Sequence, residues 1–419
     1  MKKFCIVISV SLIFALGQGH AEEFQEWSVE SWGTVTFGSR IFLDDSAHPG
    51  QKGNQHSLTF EPTVYFESAE GNSFTLTPFI MIDSTDSERT HVDIREAYYL
   101  TFGLLGESEW ELRLGIDQVF WGTAESNNPV NIINQTDFVV HPNGESKLGQ
   151  PMIHGTLAGG WGMLDVIVMP YHRPRTFSGV KGRFRASLPV ETSRKQIKYA
   201  SSSGRRNIDW AARYGNNLGP LDFGVSIFNG TSRDPQFCRD KRSCLNEKGD
   251  KLIQHYNLIK QLGLDLQVTL GAFLGKAEWI TREEEDISKD NKKSRYHASV
   301  IGGEYAIYGI FESEADLTLF AEWNNDTRGE TATTLLQNDL FLATRYAFND
   351  ILDTDITVAI IEDLDYDTRT LNIEFNRRLS DTFSLTAEAF KFLQEDSKDV
   401  QSRNIFNDEY VSLDISYSF

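Results

Sequence analysis

Between Glu22 and Phe419 the chain never runs through 18 uninterrupted apolar residues, which excludes a membrane-spanning helix from that span. Cysteine is scarce, with three residues in 419. Basic charge is short as well: 40 Lys and Arg face 60 Asp and Glu, for a net charge of -20, a balance that repels phosphates and excludes a nucleic-acid partner. The nine histidines are scattered, with no His-Glu-x-x-His pair, so no metal site is expected, and Gly-x-Gly matches are followed by no helix that could cradle a phosphate. No cofactor is therefore expected. Nor is there a linker that would divide the chain into separate domains.

At the start, Lys2 and Lys3 precede an apolar run from Phe4 to Leu16, with Gly19 and Ala21 as small residues before Glu22. This reads as a secretory signal peptide over 1–21, and the mature part as 22–419. Its removal takes away Lys2, Lys3 and Cys5 and leaves Cys238 and Cys244, six apart in Phe-Cys-Arg-Asp-Lys-Arg-Ser-Cys. In an oxidising exported compartment a local disulfide is expected. Metal binding by the pair is the weaker alternative, because zinc wants four ligands.

The last eleven residues are strictly alternating. Val411, Leu413, Ile415, Tyr417 and Phe419 share one face of an extended strand, and Tyr410, Ser412, Asp414, Ser416 and Ser418 the other. A terminal Phe after such alternation resembles the C-terminal signature of Gram-negative outer-membrane β-barrels. The resemblance implies that this stretch is the last barrel strand, that Phe419 is read by the barrel-assembly machinery, and that the protein sits in the outer membrane among lipid and lipopolysaccharide.

The rest of the chain agrees with an all-β, antiparallel, up-and-down transmembrane barrel. Eighteen extended segments can be marked from Val29 onward, or sixteen if two shorter ones are loop. Two of the eighteen are 253–261 and 263–274, divided at Gly263, with 275–294 taken as a long connection. Short connections with turn residues alternate with long ones, as in membrane barrels with short periplasmic turns and long extracellular loops. Faces are clean in many strands: Trp110, Leu112, Leu114 and Ile116 oppose Glu111, Arg113, Gly115 and Asp117, and the charged set is expected to face inward. Strand 90–102 is less clean because Arg95-Glu96 blurs its parity, and Lys391 falls on the outward parity of its strand.

The longest pointed stretch is 119–150. It has apolar anchors, Phe120, Trp121, Val130, Ile132 and Ile133, among polar residues, so it is expected to be ordered and functional. It resembles the porin loop after the fifth strand that folds into the lumen. Its pattern Trp-Gly-x-x-Glu-x-x-Asn-Pro-Val-Asn-Ile-Ile-Asn, from Trp121 to Asn134, also resembles a group of porin-like proteobacterial outer-membrane proteins of unsettled substrate. The motif-level likeness covers about 110–235. By that resemblance Glu125, Asn127, Asn128, Asn131, Asn134 and Asp137 form a constriction, which Glu111, Arg113 and Asp117 lead into; the alternative is a surface loop packed on its neighbours.

Charge is segregated. From Tyr171 to Arg206 there are ten basic residues, including Arg173, Arg175, Lys181, Arg183, Arg185 and Arg194, against Glu191 alone. Such a loop either steers anions into the mouth or pairs with lipid phosphates and acidic loops. The run Glu283 to Asp286, with Asp290, could hold Ca²⁺ but lacks spaced oxygens and a turn glycine, and reads better as a solvated loop tip. The function expected is a porin-type passive channel for small hydrophilic solutes, anions among them, rather than an enzyme, with a homotrimer as one assembly. The alternatives are a barrel lipase or protease and a non-conducting structural barrel. A plugged, inner-membrane-driven transporter is disfavoured because strand pattern starts near the mature N-terminus.

Overall fold

A computed structural model describes residues 27–238, 250–286 and 292–419. From the N-terminal side, β1 (Ser28–Phe42), β2 (Gln55–Glu67), β3 (Ser73–Asp83), β4 (His91–Leu105), β5 (Ser108–Asp117), β6 (Gln150–Gly159) and β7 (Gly162–Met169) follow one another as antiparallel neighbours. The short β8 (Lys198–Tyr199) interrupts the series, which resumes at β9 (Asp209–Leu218) and β10 (Leu221–Thr231). After the short β11 (Gln236–Cys238) and β12 (Ile253–Tyr256) come β13 (Leu258–Leu270), β14 (Phe273–Asp286), β15 (Lys292–Ile307), β16 (Asp316–Asp326) and β17 (Asn338–Ala347). The last wall strands are β18 (Asp355–Asp363), β19 (Arg369–Arg378), β20 (Phe383–Gln394) and β21 (Tyr410–Ser418).

Eighteen of these strands form one sheet that closes on itself where β21 pairs with β1, from Thr34↔Ser418 to Phe42↔Tyr410. Phe419 completes the seam by exchanging both backbone hydrogen bonds with Gly33, at 3.1 and 3.2 Å. Closure leaves no edge strand, which is the condition for placing a sheet where no water can satisfy its backbone. β8, β11 and β12 make a separate three-stranded sheet outside the wall, tying the segment after β7 to the one after β10.

The exterior follows the alternation. Val411, Leu413, Ile415 and Tyr417 are all exposed, whereas Tyr410 and Ser412 are buried inside. At the short-turn rim the outward aromatics are Trp161 stacked on Tyr214, Phe273, Tyr305, Phe383 and Tyr417, with Phe419 stacked on Phe60. Trp210, Trp279 and Trp323 stand outward nearer the other rim. Two aromatic rows flanking an aliphatic belt are the arrangement of a barrel facing hydrocarbon.

Eighteen strands was the expected number, yet the partition differed in one region. The segment 253–261 divides between β12, outside the barrel wall, and the start of β13, while Gly263 lies inside β13 rather than at a turn. The supposed long connection 275–294 contains most of β14. The strand number is unchanged because the split at Gly263, which mimics a turn, offsets the omission of β14, whose acidic end mimics a loop tip. In fact Glu283 to Asp286 are the end of β14, and Glu283 pairs with Lys293 and Arg295 of β15. Asp290 and Cys244 lie outside the described residues; Cys238 is disulfide-bonded. Lys391 does point outward, and its ammonium turns back to Glu409 at 3.1 Å.

Candidate functional site

Strand parity creates an inner wall of two characters. On the contiguous arc β6, β7, β9, β10, β13, β14 and β15, inward positions include Met152, Ile167, Met169, Ala211, Phe228, Ile259, Ile280, Tyr296 and Ala298. These would face water in an empty barrel. Instead they bury Trp121, Val130, Ile132 and Ile133 from the segment between β5 and β6 in one apolar core. Burying a large aliphatic side chain contributes about 1.5–3 kcal/mol, so this core holds the segment inside the lumen.

The apolar core fixes the middle of the segment; carboxylates fix its tip. Glu278 of β14 accepts from the backbone N–H groups of Thr123 (2.6 Å) and Ala124 (3.0 Å), from Asn128 Nδ2 (2.9 Å) and from Val130 N–H (3.4 Å). Glu322 of β16 accepts from Glu125 N–H (2.9 Å), Ser126 N–H (2.8 Å) and Ser126 Oγ (2.6 Å). Gly122 allows this approach: its φ is +141°, and a Cβ there would lie 2.8 Å from Glu278 Oε1. In the strand order β16 is nearly opposite β5, so the segment crosses the lumen. Its later part is tied to β20, where His141 Nε2 meets Glu388 at 3.0 Å.

The chain is an outer-membrane β-barrel of porin-like architecture. An aliphatic belt between aromatic rows, a closed sheet and a loop folded into a polar lumen decide it together. No protein-family model matches the barrel, and no curated protein sequence does. Among solved structures it is similar to OprB of Pseudomonas putida, at 10% identity over 93% of this chain and 94% of that one, with a TM-score of 0.46. It is similar also to OmpT of Vibrio cholerae, at 8% identity over 96% of this chain and 100% of that one, TM-score 0.44. A mutant of Rh. blastica porin matches at 9% identity over 93% of this chain and 100% of that one, TM-score 0.39. With TM-scores below 0.5, the assignment rests on the barrel's own geometry.

The barrel distributes the expected constriction residues unevenly. Glu125 is exposed at the loop tip, with its carboxylate 2.6 Å from Lys276 Nζ, and Asn127 is half-buried beside it. Glu111, Arg113 and Asp117 line β5 inwardly as a ladder, Arg113 lying 2.8 Å from Glu111 and 3.3 Å from Asp117. The other polar residues hold the loop's shape. Asn128 is engaged by Glu278 and Asn131 by Trp121, while Asn134 ties Val119 to the carbonyls of Asp117 and Leu148. Asp137 is fully buried, receiving Arg95 at 2.7 Å, Thr176 Oγ1 at 2.7 Å and His91 at 3.1 Å. Burial alone would raise its carboxyl; the His91 hydrogen bond and the Arg95 charge hold it down at about 2.

Arg95 reaches Asp137 because of a register shift in β4 opposite Thr77 and Pro78, a bulge that turns Arg95, Glu96 and Asp93 all toward the lumen and explains the blurred parity. The basic segment after β7 is similarly consumed. Arg173 pairs with Asp93 (2.5 Å), Arg175 with Asp234 (2.6 Å) and Arg183 with Asp408 (2.5 Å), and Arg185 donates to Pro49 O (2.7 Å). Of the two expectations for this segment, pairing with acidic groups describes Arg173, Arg175 and Arg183, whereas Arg185 is held by backbone carbonyls. Lys181 and Arg194 stay exposed. The anchors Glu278, Glu322 and Glu388 carry no sequence signal of their own: Glu278 lies within 275–294, where the acidic run mimics a loop, and the other two are single carboxylates on wall strands.

Proposed function

We propose that the barrel is a passive channel for small hydrophilic solutes, with the lumen-crossing loop as its constriction. The observation that carries this reading is the loop's double fastening, by an apolar core on one arc and by Glu278 and Glu322 across the lumen. On this reading the loop narrows a water-filled cylinder, and the passage runs along the inward faces of β19, β21, β1, β2 and β4, which lie outside that core. On this arc Glu61, Glu96, Glu374 and Asp414 point inward, half-buried, and none makes an ion pair among the described residues; the inward cation there without one is Arg40. Unpaired carboxylates in excess favour cations over anions, opposite to the preference the basic segment suggested.

A catalytic reading has two hydroxyl–imidazole contacts to use among the described residues: Ser39 Oγ with His56 Nδ1 at 3.1 Å on the outside of the barrel, and Thr156 Oγ1 with His154 Nε2 at 3.4 Å, where Thr156 and that same nitrogen already engage Asp165. No carboxylate among the described residues hydrogen-bonds His56 to complete a triad. Planar-bilayer recording of the purified protein tests the channel: steps of conductance with a cation-directed reversal potential support it. Absence of conductance together with phospholipid hydrolysis lost in Ser39→Ala replaces it with an enzyme. Lipopolysaccharide contact, delivery by the assembly machinery through Phe419 and a homotrimer belong to the same reading; native mass in detergent tests the last.

A further inference from the structure

Three neighbouring strands place polar side chains in one inward row: Asn324 of β16 stands opposite Asp339 of β17, which stands opposite Asp363 of β18. All three are buried, Asn324 completely. Gln337, just before β17, is buried beside them and donates from Nε2 to Asp363 at 2.7 Å.

Asp363 Oδ1 accepts from the N–H groups of Asp365 (2.8 Å) and Tyr366 (3.0 Å), but other oxygens of this row lack partners. Asn324 commits Nδ2 to Ser126 Oγ at 2.9 Å, which fixes the amide orientation and leaves Oδ1 buried with no hydrogen bond. Gln337 is in the same position, its Nε2 engaged and its Oε1 buried and unpartnered. Asp339 receives one hydrogen bond, from Asn338 N–H at 3.0 Å. Among the described residues no Lys, Arg or His forms an ion pair with Asp339 or Asp363. Two buried carboxylates on paired positions without a cation are costly, and two buried amide oxygens without a hydrogen bond add to the cost.

We propose that Asn324, Asp339, Asp363 and Gln337 form a Ca²⁺ site on the lumenal face of β16–β18. The donors are all oxygen, two charged and two neutral, which is hard-cation chemistry with no nitrogen or sulfur to favour zinc. Two carboxylates and two amides supply four to six oxygens, and water completes the six to eight that Ca²⁺ takes. Mg²⁺, which demands a near-ideal octahedron and sheds water reluctantly, suits a row of side chains on a pleated wall less well. Because Asn324 also holds Ser126, and Glu322 on the same strand holds Glu125 and Ser126, the cation stiffens the wall that carries the loop tip. The site does not depend on whether the barrel conducts.

The test is calorimetric titration of the full chain, folded in detergent free of lipopolysaccharide and stripped with EDTA, with CaCl₂ and in parallel MgCl₂. One Ca²⁺ per chain is expected, with a dissociation constant on the order of 10⁻⁴–10⁻³ M, typical of extracellular oxygen sites, and at least tenfold weaker Mg²⁺ binding. Asp339→Asn lowers Ca²⁺ affinity at least tenfold. Its melting temperature exceeds that of the unsubstituted protein in EDTA and falls below it in millimolar Ca²⁺, because the substitution relieves repulsion and removes a ligand at once. Should Asp339→Asn fail to fold, Gln337→Leu gives the same loss of affinity. No Ca²⁺ heat and no Ca²⁺-dependent melting shift overturn the site and leave a carboxyl pair that shares a proton; so does wild-type affinity in either variant.

Discussion

Replacing Glu278 and Glu322 together by alanine frees the tip of the lumenal loop while leaving its apolar core in place. The two carboxylates receive seven hydrogen bonds from residues 123–130, five of them from backbone N–H groups and one each from an amide and a hydroxyl. At a net 0.5–1.5 kcal/mol per bond they are worth about 4–10 kcal/mol, although charged acceptors give somewhat more and the desolvation of two buried glutamates takes some back. Even at about 4 kcal/mol the tip is detached in roughly one molecule in 10³, and without the carboxylates detached and seated states become comparable in population. Val130, Ile132 and Ile133 remain buried in the core, so the movement is confined to about residues 122–129. The eighteen-strand ladder is untouched by the change, and heat-modifiable migration on gels should confirm a folded barrel. In planar bilayers the double variant should then show a larger mean single-channel conductance and faster current noise. A conductance and noise spectrum indistinguishable from the parent, in a folded barrel, would refute the idea that these two residues hold the constriction.

Arg183→Ala leaves the buried Asp408 carboxylate unpaired and should destabilise the loops over the mouth by about 3–5 kcal/mol, read as faster proteolysis within 170–208. Asp137 is depressed from 3.8 to about 2 by its partners, so it contributes about 2 kcal/mol of stability that is complete above the unfolded value and lost as pH falls through the folded one. Asp137→Asn should therefore flatten the dependence of unfolding temperature on pH between about 4 and 2, and an unchanged slope would reject the pairing. Ile133→Ala, at a fully buried position of the lumenal core, should cost about 2–5 kcal/mol of loop anchoring and raise hydrogen exchange across 118–149 without altering strand protection.

Much of the barrel was legible because lipid outside and water inside impose a period of two on each strand. The alternation in 410–419 and in 110–117 predicts inward and outward residues that the structure bears out. The signal weakened wherever something other than lipid or water met the wall. β14 is hidden in the sequence because its end carries Glu283 to Asp286, an acidic run whose first member finds its partners, Lys293 and Arg295, on the next strand. β4 blurred because a bulge adds Arg95 to the lumenal face.

Sequence alone settled that 119–150 is an ordered, apolar-anchored segment, since local composition excludes disorder and local length excludes a simple turn. Which of its polar residues face solute was a tertiary decision. Asn128, Asn134 and Asp137 look like Glu125 on paper, but their partners Glu278, Asp117 and Arg95 stand on other strands, and only closure of the barrel brings those groups within hydrogen-bond reach. The same holds for Arg173, Arg175 and Arg183: their number is written in the chain, whereas their neutralisation by Asp93, Asp234 and Asp408 depends on segments separated by up to 225 residues. Alternation is a local property set by the solvent on each face; charge compensation is a property of distance, and distance between remote residues exists only once the cylinder has closed.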